Sequence, residues 1–138
     1  MKPLIYVIDN ETDYLQLVQY VFVEFLPDYS VLLFSSGETM LSSLVASPKQ
    51  PALVLLDLHM PGMSGHQTLL QLKARQDWKL MPVVMITSAT GQGEIQACYE
   101  AGANSCLAKP MNIPSMTKLF KQVCTYWVDT NGSALKNN

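Results

Sequence analysis

The sequence predicts an α/β domain built on a doubly wound, five-stranded parallel sheet. Two observations carry this. Five short apolar runs alternate along the chain with stretches of helical period. The strand runs are also unbroken rather than alternating, as expected of strands covered on both faces. Helices on each side and right-handed crossovers then leave the doubly wound sheet as the natural solution.

Leu4 to Ile8 is the first strand and stops at Asp9. Thr12 to Leu26 carries Tyr14, Leu17, Val18, Val21, Phe22 and Phe25 at three- and four-residue spacing, so it reads as a helix, ended by Pro27-Asp28. Ser30 to Phe34 is the second strand. Ser35-Ser36-Gly37 leads into a short helix over Glu38 to Ala46, and Ser47 to Pro51 is a loop. Leu53 to Leu56 is the most apolar strand and delivers Asp57 at its end. The turn-rich Met60-Pro61-Gly62-Met63-Ser64-Gly65 precedes a helix from Gly65 to Gln76 with Leu69, Leu70 and Leu72. Pro82 opens the strand Val83 to Thr87. Gly91-Gln92-Gly93 is a joint before a helix that ends near Ala101, with Gly102 suited to a left-handed cap. Asn104 to Ala108 is the fifth strand and meets Lys109-Pro110. The last helix, Ile113 to Trp127, shows one apolar stripe: Met116, Leu119, Phe120, Val123, Cys124 and Trp127. Residues 1–127 are thus expected to form one domain, and Val128 to Asn138, polar and uncapped, a flexible tail.

Composition narrows the function classes. With 138 residues, 49 % hydrophobic and 14 % charged, the chain is globular and needs no covalent staples. A formal net charge of −2 argues against direct nucleic-acid binding. The apolar run after Lys2 is too short for a signal peptide or a membrane span, so a cytoplasmic, membrane-free protein is expected. Cys98, Cys106 and Cys124 match no zinc or redox spacing and read as reduced thiols. His59 and His66 read as ordinary loop and helix histidines, and Asn131-Gly132-Ser133 as a turn-forming tail.

In doubly wound sheets, ligands sit at the carboxyl ends of the strands. Strand one ends in Asp9, Asn10 and Glu11, strand three in Asp57, strand four in Thr87 with Ser88, and strand five in Lys109. A lone aspartate after a strand is usually a turn residue or a helix cap. Carboxylates, a hydroxyl and a lysine on one rim from four strands are harder to assign to chance. The set suits phosphoryl transfer. Carboxylates hold Mg²⁺, which keeps several waters. A carboxylate can be the nucleophile that forms an acyl phosphate. The transferring group needs mainly charge stabilisation, here from Lys109 and the cation, with Thr87 donating a hydroxyl.

Four stretches carry a family likeness: Val7-Ile8-Asp9-Asn10-Glu11, Leu55-Leu56-Asp57-Leu58-His59-Met60-Pro61-Gly62-Met63-Ser64-Gly65, Ile86-Thr87-Ser88-Ala89, and Ala101-Gly102-Ala103 through Lys109-Pro110. Over residues 3 to 127 the chain resembles the receiver domains of two-component response regulators, the CheY-like family. The resemblance implies a flavodoxin-like sheet of order 2-1-3-4-5. It implies that Asp57 takes a phosphoryl group from a sensor histidine kinase or histidine phosphotransfer protein, and that the domain assists its own phosphorylation and dephosphorylation without being an enzyme in the ordinary sense. By the same matching, Asp9, Asn10, Asp57 and the backbone carbonyl of His59 would form the cation shell, Thr87 and Lys109 would recognise the phosphoryl group, and the Lys109–Pro110 bond would be cis. A downstream protein partner, unnamed by the sequence, is implied, and a homodimer through the last two strands and helices is compatible with the family. The Tyr126-Trp127 end is similar to that of stand-alone receivers of the phytochrome-linked kind, with no output domain expected.

Two positions depart from the family: Asn10 replaces a second acid and Cys106 an aromatic switch. Both feed an alternative, a degenerate receiver that acts as an interaction module without phosphorylation. Intact Asp9, Asp57, Thr87 and Lys109 weigh against it. A flavin carrier is disfavoured because Ser88-Ala89-Thr90-Gly91-Gln92-Gly93 follows the fourth strand rather than the first. An aspartyl phosphatase built on Asp9 and Glu11 would need a larger chain with a cap.

Overall fold

In the computed structural model, residues 1–88 and 91–132 are described. Five parallel strands lie in the order β2-β1-β3-β4-β5, so the chain reverses direction of winding between β1 and β3. The strands are β1 (Leu4–Ile8), β2 (Ser30–Phe34), β3 (Leu53–Asp57), β4 (Val83–Thr87) and β5 (Ser105–Ala108). They alternate with α1 (Thr12–Phe25), α2 (Gly37–Ala46), α3 (Gly65–Ala74), α4 (Gln92–Glu100) and α5 (Ile113–Cys124).

Period-two alternation along each strand splits the core in two. Ile5, Val7, Leu53, Leu55, Val84 and Ile86 pack under α1 and α5. Tyr6, Ile8, Val54, Leu56, Val83 and Met85 point the other way, toward α2, α3 and α4. Every residue of β3 and β4 is buried, which is why those runs read as unbroken. Among the described residues no helix is long and apolar enough to cross a membrane.

Caps and glycines set the helix positions. Ser64 and Gln67 form a reciprocal capping box at the start of α3, and Asn112 accepts from the Ser115 N–H at the start of α5. Gly102 takes a φ of 106°, the left-handed cap expected of it. Gly65 is needed for closeness: a Cβ there would lie 2.0 Å from the Asp57 carbonyl oxygen and 2.7 Å from Leu58 Cα. The first turn of α3 therefore rests on the backbone that carries Asp57.

Several expectations change. In α1 the buried face is Tyr14, Leu15, Val18, Val21 and Phe22. Leu17 and Phe25 are 39 % and 49 % exposed, Phe25 closing the helix edge-on to Tyr20. Leu70 of α3 is likewise on the outer face. Helix α3 ends at Ala74, two residues early, because Arg75 leaves the helical conformation, pairs with Asp77 and covers the Trp78 ring at 3.9 Å. The Lys109–Pro110 bond is trans, since the described residues contain no cis peptide bond. Trans is the intrinsic preference even before proline, and the Pro110 carbonyl accepts from the Tyr14 hydroxyl at 2.9 Å. Beyond α5 a π-helical turn carries the chain on through Thr125–Thr130. There Val128 packs against the core, and the Tyr29 hydroxyl donates to Asp129 at 2.5 Å. Residues 128–130, expected to fray, are helical. Asn131 and Gly132 are non-helical, and 133–138, the rest of the expected tail, lie outside the described residues.

Gly65→Ala should therefore cost about 1–3 kcal/mol of unfolding free energy, read from urea denaturation, because the atom it meets is backbone and cannot turn aside. An unchanged midpoint would show that α3 does not rest on the Asp57 backbone.

Candidate functional site

Sheet register assembles the site. Ile8 is opposite Leu56, so Asp9 and Asp57 emerge side by side from the two central strands. Asp57 is opposite Ile86, which places Thr87 next along the rim. Thr87 is opposite Ala108, and Lys109 follows. The ladder continues just past the strands: the Asp9 N–H donates to the Phe34 carbonyl at 3.0 Å, and the Lys109 N–H to the Thr87 carbonyl at 3.0 Å. These bonds fix the backbone from which both charged side chains leave.

Asp9, Asp57 and Thr87 are buried, and the Lys109 side chain is only 4 % exposed. Its Nζ lies 2.7 Å from Asp9 Oδ2, 3.2 Å from Glu11 Oε1 and 3.9 Å from Asp57 Oδ2. The other Asp9 oxygen accepts the Glu11 backbone N–H at 2.9 Å. Beneath the ammonium lies the face of Tyr14, 4.3 Å from Nζ to the ring centroid. The lysine thus has anions on one side and a π-face on the other, an arrangement that offsets its lost hydration.

The acids are crowded. Burial and then the neighbouring Asp9 charge push the Asp57 carboxyl up from 3.8 to about 6, against the pull of Lys109 and the Leu58 backbone N–H. Burial works to lower the Lys109 value, but its hydrogen bond to Asp9 and the charges of Asp57 and Asp9 together raise it. Burial, then the same acids, push the Tyr14 hydroxyl up as well. Lysine stays charged, and the carboxyl pair remains short of positive charge.

Of the residues singled out in the sequence, Asp9, Asp57, Thr87 and Lys109 converge. Asn10 is exposed. His59 is exposed too, and its Nε2 lies 3.1 Å from Glu94 Oε2, linking the loop after β3 to the first turn of α4. Cys106 is partly buried and packs on the α2, α3 and α4 side of the sheet. Its backbone N–H donates to the Tyr99 hydroxyl at 3.1 Å, and its thiol is raised by burial. Ala89 and Thr90, between β4 and α4, lie outside the described residues. Sequence reasoning missed Tyr14, which read only as part of the apolar face of α1. It also placed Glu11 on the rim without seeing that it reaches Lys109.

Among the described residues no group of three or more His, Cys, Asp or Glu side chains forms a metal cage. The donors present are two crowded carboxylates, Asp9 and Asp57, at an opening lined by an ammonium. That set fits a hard divalent cation of the Mg²⁺ type, which binds through one or two acids and keeps waters for the rest.

Comparison with known proteins agrees with this geometry. The response regulator receiver domain model matches residues 5–121. Response regulator Rcp1 of Synechocystis sp. is 28 % identical over 134 residues, 94 % of this chain and 90 % of that protein. The probable methanogenesis regulatory protein FilR2 of Methanothrix harundinacea is 32 % identical over 83 residues, 60 % of this chain and 54 % of that one, so the match spans about half of FilR2. Among solved structures, the Mn(2+)-bound form of Rcp1 has a TM-score of 0.82 at 25 % identity, covering 96 % of this chain and 99 % of that one. The phosphorylated cyanobacterial phytochrome response regulator RcpA has a TM-score of 0.88 at 21 % identity, covering 98 % and 100 %, a likeness of fold. With the family match extending over most of the sequence and the strand-end acids and lysine in one pocket, this chain belongs to the response regulator receiver domain family.

Proposed function

We propose that this receiver accepts a phosphoryl group on Asp57, with Mg²⁺, from a phosphohistidine on a sensor kinase or phosphotransfer protein, and signals by binding another protein. The observation that carries the reading is Lys109 Nζ, buried and set between Asp9 at 2.7 Å and Asp57 at 3.9 Å. A structural ion pair alone would not need the second acid so near. The Mn(2+)-bound state of Rcp1 supports a divalent cation in the family.

The roles follow from the residues. Asp57, with a carboxyl near 6, is mostly ionised at neutral pH yet more basic than an ordinary carboxylate, which favours it as nucleophile. One of its oxygens attacks phosphorus, the P–N bond to the donor imidazole breaks, and the imidazole leaves with the electron pair. Lys109 is the fixed positive charge for the phosphoryl oxygens, and the Thr87 hydroxyl a donor to them. Asp9 and Asp57 would hold the cation, with Asn10 and the His59 carbonyl as neutral oxygen donors. The cation would neutralise charge on the acids and the incoming group. Gly65 keeps α3 close behind Asp57, which fixes the direction of the acceptor. Cys106 is too small to act as a ring switch, and it already sits inward beside the Cys98 side. Readout is therefore assigned to the segment from Ser88 to Glu94 and the helix behind it.

The deciding experiment is mass spectrometry after incubation with a small phosphodonor and Mg²⁺. One added phosphoryl group, lost in Asp57→Asn and without Mg²⁺, is the expected result. No adduct on the wild type would favour a receiver that works as an interaction module without phosphorylation.

Ionising Asp57 also has a stability consequence. A carboxyl raised from 3.8 to about 6 holds its proton more tightly in the folded chain. That contribution to stability is full below about pH 4 and is lost as pH rises through about 6. Asp57→Asn removes the loss, so the variant should be roughly 2–3 kcal/mol more stable than wild type near pH 8, with the gap closing toward pH 4. Denaturant unfolding that shows no gain near pH 8 would contradict the crowding of the two acids.

A further inference from the structure

The pocket has to hold an ammonium and a divalent cation on the same acids. Lys109 Nζ occupies Asp9 Oδ2 at 2.7 Å, and Asp9 is one of the two carboxylates that the cation would need. The Lys109 side chain is only 4 % exposed and lies above the Tyr14 ring, so little water is available to solvate its ammonium. When a cation takes Asp9, the ammonium therefore needs another anion within reach. Asn10, where the family has its second acid, is neutral and exposed. Glu11 is charged and its Oε1 is already 3.2 Å from Nζ, while its side chain remains 65 % exposed on the solvent side. The Glu11 backbone N–H binds Asp9 Oδ1, so the acid is anchored beside the pair by its own main chain.

We propose that Glu11 supplies the charge that Asn10 lacks: it is the counter-ion on which Lys109 rests when a divalent cation occupies Asp9 and Asp57. This deepens the reading of the site given above and rests on it. The charges agree. Asp9, Asp57 and Glu11 contribute −3 and Lys109 +1, leaving −2, the charge that one divalent ion neutralises. Without Glu11 the sum is −1, and the ammonium stays on Asp9 in competition with the cation. Glu11 is a positioning residue acting through Lys109.

Mn²⁺ binding followed by the paramagnetic resonance of the free ion tests this without any phosphoryl transfer. Glu11→Gln should weaken binding about three- to tenfold, with the unfolding midpoint little changed because the side chain is exposed. Asp13→Asn, an exposed acid in the same turn, should change it by less than about twofold. In a Lys109→Met background the effect of Glu11→Gln should shrink below about twofold, the mark of action through the lysine. Wild-type affinity in Glu11→Gln would overturn the proposal while leaving the site reading intact, and so would a full Glu11 effect without Lys109, which would make Glu11 a direct ligand. A wild-type protein that binds no Mn²⁺ would overturn both.

Discussion

The buried contact between Lys109 and Asp9 is the interaction on which the rest of the site depends. Two carboxylates leave adjacent strands at the same level because the β1–β3 register aligns Ile8 with Leu56. Unaided, they would repel in a place from which water is largely withdrawn. The lysine from β5 crosses the rim to meet them, and its 2.7 Å contact keeps Asp9 paired while Asp57 stays only partly compensated. Breaking one member of such a buried set leaves a charge without a partner, which typically costs several kcal/mol. The same imbalance makes Asp57 basic and the opening attractive to a cation.

The fold serves this arrangement at two points. Unbroken apolar strands bury β3 and β4 on both faces, so their ends are held rigidly, and a crossover on each side brings the chain back to the same rim. Gly65 then lets α3 approach the Asp57 backbone to a distance that no side chain would permit. The family resemblance and the strand-end geometry meet at these residues, and the receiver assignment rests on both.

Most of the fold was legible in the sequence because strand burial and helix period leave local patterns. Three of the five strands have the bounds of the unbroken runs, β3 extends one residue further to Asp57, and β5 begins one residue later at Ser105. What was not legible is contact between distant segments. Nothing near Tyr14 announces that its ring lies under Lys109 or that its hydroxyl holds the Pro110 carbonyl. Spacing made it a core residue, and half of its role is polar. The helical continuation past Trp127, to Thr130, was missed for the same reason, since its polar tie joins Asp129 to Tyr29, 100 residues away. At the site, Asp9, Asp57, Thr87 and Lys109 could be read from strand ends. The reach of Glu11 could not, because an acid in the first residues of a helix is ordinarily a favourable dipole partner.

The most direct test of the crowded carboxylate pair is a carbon-13 NMR titration of the Asp57 carboxyl, with and without Mg²⁺. Without the cation the midpoint should lie near 6, well above 3.8, and saturating Mg²⁺ should move it down because the cation favours the ionised form. A midpoint at the ordinary aspartate value that Mg²⁺ does not move would contradict a buried Asp57 carboxylate crowded by Asp9 and short of positive charge.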